Sequence, residues 1–113
     1  MDHIVKEEKT SWGKRYYITD NKSYRFALYY YNDDPDAVYL SSVYVEEQYR
    51  RKGIGNLILS MAEDIAKQYD FKVMLLKAKI NDFVHLWYNR NGYVDFVTDH
   101  EDNSYIWMKK YLK

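Results

Sequence analysis

A chain of 113 residues at 13.8 kDa is the size of one domain, with room for one hydrophobic core and none for a second unit. Seventeen basic residues balance seventeen acidic ones, which disfavours a nucleic-acid partner held by bulk charge. Zero cysteines exclude a disulfide scaffold, a thiolate zinc site and a cysteine nucleophile.

With 47% hydrophobic and 30% charged residues the composition is that of a soluble globular protein. Met1–Lys9 lacks the apolar run of a signal peptide, and the longest apolar run, Val73–Leu76, is too short to span a bilayer. The expectation is a cytoplasmic protein without membrane attachment. Fourteen tyrosines suit half-buried strands, where the ring is covered and the hydroxyl stays wet.

In chain order, Ile4–Lys9 reads as a weak strand and Lys14–Thr19 as a stronger one, closed by the turn residues Asp20, Asn21 and Lys22. Ser23–Tyr31 is a tyrosine-rich strand that stops at Asn32-Asp33-Asp34-Pro35-Asp36. Ala37–Val45 is a third long strand. The periodicity then changes. Ile54, Leu57, Ile58, Met61, Ala62, Ile65, Ala66 and Tyr69 recur at three- and four-residue steps, which predicts an amphipathic helix over Gly53–Tyr69.

Lys72–Ala78 is apolar at its centre, as in a strand covered on both faces. Strand, helix and buried strand make a βαβ unit, so Ala37–Val45 and Lys72–Ala78 should run parallel. A second helix starts near Asn81 or Asp82 and stops at Asn91-Gly92. Tyr93–Val97 and Ser104–Leu112 close the chain as a pair around the polar turn Asp99–Asn103. The class is α/β with a mixed sheet: antiparallel first, one parallel crossover, antiparallel last.

Chemistry concentrates in Arg50-Arg51-Lys52-Gly53-Ile54-Gly55-Asn56, between a strand end and a helix start. The first helical turn offers unpaired N–H groups and the positive end of the dipole. Gly53 and Gly55 allow close backbone approach, and Arg50, Arg51 and Lys52 add positive charge, so these parts make a phosphate cradle. The same residues also suit a solvated basic turn whose glycines serve helix packing. A dinucleotide fingerprint fails because Ile58 stands where its third glycine would fall. A P-loop fails because Asn56 and Leu57 follow Gly55 in place of Lys-Ser/Thr.

Arg50-x-x-Gly53-x-Gly55 resembles the Gln/Arg-x-x-Gly-x-Gly/Ala acetyl-coenzyme A signature of the GCN5-related N-acetyltransferases. Downstream, Asn81-x-x-Val84-x-x-Trp87-Tyr88-x-x-x-Gly92-Tyr93 is similar to that family's Asn-x-x-Ala-x-x-Leu/Phe-Tyr-x-x-x-Gly-Phe segment. The match runs from about Ala37 to Val97. The resemblance implies a family-like fold over a single domain at 1–113, with acetyl-coenzyme A as co-substrate and no metal. It implies that the backbone from Arg51 to Asn56, including Lys52 and Ile54, holds the pyrophosphate beside Arg50. Val43 and Val45 would pair with the pantetheine arm, and the Val43 amide would polarise the thioester carbonyl. Asn81 would contact the arm, and Tyr88 would protonate the leaving thiolate. A phenol with an ordinary pKa of ~10 carries its proton at neutral pH, so Tyr88 has the right chemistry. It equally suits a core-edge aromatic.

Trp87 reads as core. His3, His85 and His100 form no metal spacing, although His85 is near enough to Tyr88 to edge a site. Two departures from the family stand out. Counting back from Arg50, Tyr39 holds the place of the glutamate base of histone-acetylating members. A water relay along Ser41 or Ser42, or a carboxylate such as Asp36, are the alternatives. The family's two helices between its first strands also have no counterpart, since Lys9–Gly13 is only a turn.

The acceptor side should therefore be open, favouring an amine on a protein, a lysine or an N-terminus, over an enclosed small amine. Transfer would be direct, because no cysteine can carry the acyl group. A coenzyme A-binding or degenerate interaction module without catalysis is the alternative. Both a monomer and an edge-to-edge homodimer fit the tyrosine-rich strands.

Overall fold

The computed structural model describes residues 3–113. Seven strands, β1 (Ile4–Lys9), β2 (Gly13–Thr19), β3 (Tyr24–Tyr31), β4 (Ala37–Val45), β5 (Val73–Lys79), β6 (Val94–Thr98) and β7 (Tyr105–Tyr111), form one sheet in the order β1-β2-β3-β4-β5-β7-β6. Helix α1 (Ile54–Gln68) connects β4 to β5, and α2 (Phe83–Arg90) connects β5 to β6. Only the β4–β5 pair is parallel, as the crossover predicts. Among the described residues no helix is long and apolar enough to cross a membrane.

Expected and observed boundaries agree to one or two residues. Gly53 lies outside α1 as its N-cap, and Asp82 is the N-cap of α2. The weak N-terminal strand is a full partner: β1 pairs with β2 from Ile4↔Thr19 to Lys9↔Lys14, and Arg15 donates to Glu8 across it. The turn between them is closed by the Thr10 amide on the Gly13 carbonyl and the Gly13 amide on Thr10 Oγ1, both at 3.0 Å. No helix interrupts this hairpin.

Alternation along the strands separates two faces. One carries Tyr16, Ile18, Tyr24, Phe26, Leu28, Val38, Leu40, Met74, Leu76 and Met108, all buried. The apolar stripe of α1, Ile58, Leu59, Met61, Ala62, Ile65 and Ala66, packs against them, with Trp87 and Tyr88 of α2 at the margin. Each large aliphatic side chain so buried contributes roughly 1.5–3 kcal/mol relative to exposure.

The opposite face has no helix and is covered by aromatic side chains instead. Trp12 meets Tyr31 with ring centroids at 4.9 Å, Tyr31 meets Tyr39 edge-on at 5.1 Å, and Tyr39 meets Trp107 edge-on at 5.6 Å. Ala27 and Leu75 are buried on this face despite the missing layer. This accounts for many of the tyrosines.

The β4–β5 pairing stops early. It holds at Ala37↔Val73, Val38↔Met74 and Tyr39↔Leu75, after which β5 continues on β7 alone. On its other side β4 carries a bulge: Ala27 pairs with Ser41 and Arg25 with Tyr44, so Ser42 and Val43 both oppose Phe26. Ser42 takes a left-handed φ of 58° there. A bulge bends and over-twists its strand, which turns the last third of β4 away from β5.

The hairpin turn depends on Gly13, where an added Cβ would fall 1.8 Å from the Tyr30 carbonyl oxygen. Gly13→Ala should force β2 and β3 apart and cost about 2 kcal/mol or more. Urea unfolding reads this directly, and an unchanged midpoint would show that the turn relaxes without loss.

Candidate functional site

The segment between β4 and α1 folds back on the strand it leaves. After a single 3₁₀ turn at Glu47–Tyr49, Arg50 donates from Nε to the Val45 carbonyl at 2.9 Å and lies over the Tyr44 ring. Arg51 and Gly53 both take left-handed φ values, 63° and 78°. Nothing lies within 4 Å of a Cβ placed on Gly53, so its requirement is conformational and not spatial. Gly55 is the reverse case, with ordinary helical backbone and the Trp87 ring 3.9 Å from an added Cβ.

The first α1 bond runs from the Leu57 amide to the Gly53 carbonyl, leaving the amides of Ile54, Gly55 and Asn56 without helical acceptors. No acidic side chain occupies that turn. The amides, the dipole and Arg51 together suit an anion. They edge a cleft of about 220 Å3 whose other wall is Phe83 and Trp87 of α2, with Val45 at its end. Trp87 donates Nε1–H to Asn56 Oδ1 at 3.1 Å and so ties α2 to the start of α1.

A second cavity, of about 360 Å3, occupies the gap where β4 leaves β5. Leu40–Val43 form one side and Leu76 and Lys77 the other; Tyr88 reaches in from the helical face, while Tyr39 and Trp107 stand on the aromatic face. Residues from both faces of the sheet line it. Burial pushes the Tyr88 phenol above its ordinary pKa of 10.0, which keeps it protonated at neutral pH. A larger depression of about 470 Å3 lies over the β2–β3 turn and meets the gap only at Ser42.

Arg50, Arg51, Gly53, Ile54, Gly55, Asn56 and Val45 come together at the first cleft, and Val43 and Tyr88 at the gap. Lys52 and Asn81 line neither of these two cavities. Lys52 turns to the Tyr49 ring, at 6.0 Å, and Asn81 sits in a left-handed turn with its amide donating to His85 Nδ1 at 3.0 Å. Asn81 is exposed, its backbone fixing the α2 entry.

Trp87 is not simply core, since half of its role is to wall the cleft. Phe83, 72% exposed on the same α2 face, escaped the sequence reading altogether. The i, i+4 spacing of Phe83 and Trp87 beside Tyr88 was the available signal. His85 does not edge the site: it is buried against β6, with Nε2 at 2.9 Å from Asp95 Oδ1. Since Nδ1 accepts from Asn81, Nε2 carries the proton. That hydrogen bond holds the Asp95 carboxyl below its ordinary pKa.

For the proton-accepting position the structure separates the candidates. Burial raises the Tyr39 phenol, so Tyr39 cannot take a proton near neutrality. Asp36 lies at the paired end of β4, where its carbonyl accepts from the Lys72 and Val73 amides. Asp36 is not among the residues that line the gap. Ser41 and Ser42 both line the gap and are exposed. Among the described residues no group of three or more His, Asp and Glu is placed to hold a metal ion.

No curated protein matches the chain. Solved structures do. An acetyltransferase from Bacillus subtilis in complex with coenzyme A aligns over 98% of both chains at a TM-score of 0.75 and 14% identity. A GNAT-family acetyltransferase from Elizabethkingia anophelis with acetyl-coenzyme A bound aligns over 97% of this chain and 98% of its own, at a TM-score of 0.70 and 14% identity. An IAA acetyltransferase from Bacillus cereus aligns over 98% of this chain and all of its own, at a TM-score of 0.69 and 16% identity. The likeness establishes a shared fold with proteins of nearly equal extent. The Acetyltransferase (GNAT) family itself matches residues 4–93, from β1 through both helices to the residue before β6. The chain therefore belongs to the GNAT acetyltransferase family.

Proposed function

We propose that the protein is an acetyl-coenzyme A-dependent N-acetyltransferase acting by direct attack of a primary amine in a ternary complex. One observation carries this reading. The β4 backbone loses its partner strand at the point where the gap opens, and the free amides of α1 lie beyond the end of the same strand. A thioester arm ending in a pyrophosphate fits that succession of groups.

In this reading the amides of Ile54–Asn56 and the Arg51 side chain bind the pyrophosphate, with Arg50 shaping the loop from below. Phe83 and Trp87 cover the arm on its outer side. Val45 and Val43 offer it backbone hydrogen bonds as a neighbouring strand would. The Val43 amide donates to the thioester oxygen, where negative charge grows during attack. Tyr88 gives its proton to the departing thiolate. A water relay along Ser41 and Ser42 takes the amine proton, since Tyr39 and Asp36 are unsuited to it.

The acceptor we favour is an amine on a protein, a lysine side chain or an N-terminus. The aromatic face onto which the gap opens has no covering helix, so a folded partner can approach the gap directly. A second reading, a coenzyme A-binding module without turnover, draws on the absence of any carboxylate among the residues lining the gap. Turnover of acetyl-coenzyme A with a protein acceptor separates the two.

Three measurements bear on this assignment. Gly55→Val places branched carbons against Trp87 in the cleft while keeping helical backbone. Calorimetry should show acetyl-coenzyme A affinity falling at least roughly tenfold, about 1.4 kcal/mol, in a folded protein. Undiminished affinity removes the cofactor from this cleft.

Tyr88→Phe should keep cofactor binding and lower kcat by roughly 10²-fold. Because burial raises the Tyr88 pKa, the protonated form persists above the ordinary phenol value, so wild-type kcat should show no alkaline fall from Tyr88 below pH 10.0. A rate equal to wild type would assign thiolate protonation to solvent. For the acceptor, kcat/KM should be higher for a folded lysine-bearing protein than for free polyamines or aminoglycosides. Efficient turnover of a free small amine, on the order of 10⁴ M⁻¹s⁻¹, overturns the protein-acceptor assignment.

A further inference from the structure

Lys77 has a position that the proposed transfer does not use. It lies on β5 one residue beyond Leu76, on the side of the gap facing Ser41–Val43, and among the described residues lining the gap it is the one that carries an amine. Its Nζ is 3.6 Å from Asp99 Oδ2 and stands over the Trp107 and Tyr105 rings, 5.4 Å and 5.5 Å from their centroids. Asp99 is the buried partner, its side chain 9% exposed, and its other oxygen accepts Trp107 Nε1–H at 3.1 Å. The Lys77 side chain is 41% exposed, so rotation about its four-carbon stem moves Nζ off the rings without unpacking the core.

We propose that Lys77 is a site of self-acetylation in cis, with acetyl-coenzyme A as donor. This rests on the reading of the gap as the place where the thioester lies. Asp99 Oδ2 takes one proton from the Lys77 ammonium, and the freed lone pair attacks the thioester carbonyl carbon. The new N–C bond forms as the C–S bond breaks. The nitrogen loses its second proton to water as Tyr88 protonates the departing thiolate and is itself reprotonated from water. Once Asp99 returns its proton to solvent, the products are an amide, free coenzyme A and one proton.

The amide carries no charge. It therefore ends the ion pair with Asp99 and both ring contacts, and it leaves an acetylated stem beside the gap that an external amine must enter. Accumulation of the modified form should slow acceptor turnover.

The test incubates the full chain with acetyl-coenzyme A and no acceptor, following intact mass and peptide mapping, with acetyl-coenzyme A binding measured in parallel. The expected result is one acetyl group, mapped to Lys77, added at a fractional rate that does not change with protein concentration. Lys77→Arg should bind the cofactor and lose the label at this position. Asp99→Asn, which can still accept from Trp107, should label roughly tenfold more slowly.

Binding without label on Lys77, label spread evenly over surface lysines, or a rate that rises with protein concentration each overturns self-acetylation in cis. An unchanged rate in Asp99→Asn removes Asp99 as proton acceptor. Absence of cofactor binding refutes the acetyltransferase reading itself, and so is distinguishable from failure at Lys77.

Discussion

The site depends on a hydrogen-bond ladder that stops. Parallel pairing of β4 with β5 ends at Tyr39↔Leu75, and the two-for-one register at Ser42 and Val43 opposite Phe26 carries the rest of β4 away. Backbone groups exposed in this way would ordinarily pair with another strand or with water. Here they border the gap between β4 and β5. Without the bulge, continued β4–β5 pairing would close the gap that Tyr88 and Lys77 line.

Alignment of that gap with the α1 amides requires the two helices to hold a fixed relation to the sheet. Three contacts set it. Trp87 bonds to Asn56 at the start of α1, Tyr93 Oη donates to Glu63 Oε2 at 2.9 Å from the β6 side, and Lys110 Nζ reaches Glu63 Oε1 at 3.0 Å from β7. Burial and the carboxylate of Glu63 both hold Tyr93 firmly in its protonated form, as the donated hydrogen bond requires. At the far end of α2, His85 joins the Asn81 turn to Asp95. Tyr88 lies one turn beyond His85, so its direction into the gap follows from a helix anchored at both ends.

Local pattern made most of this legible. The three-four spacing of α1 and the apolar centre of β5 are properties of neighbouring residues, and Ala37–Val45 matches β4 residue for residue. The bulge left no such trace, because Ser41-Ser42-Val43 contains neither glycine nor proline and nothing local separates it from regular strand. Asp36 is a reasonable base by residue type, and only the course of β4 shows that Ser41 and Ser42, not Asp36, line the gap. Trp87 was read as core because it is apolar and helical, yet its i, i+4 partner Phe83 faces solvent. Lys77 and Asp99 are 22 positions apart in sequence, and their meeting is a consequence of β7 lying between β5 and β6.

The aromatic row replaces a structural layer with side chains that also absorb and emit light. Trp12 stands at one end beside Tyr31, and Trp107 at the other beside Tyr39 and the gap. Trp87, the third indole, lies on the helical face in the cleft beside the α1 amides. The three fluorophores thus sample the hairpin turn, the open face and the amide-lined cleft separately. Single-tryptophan forms of this chain can distinguish events on the two sides of the sheet by intrinsic emission alone, with no attached label.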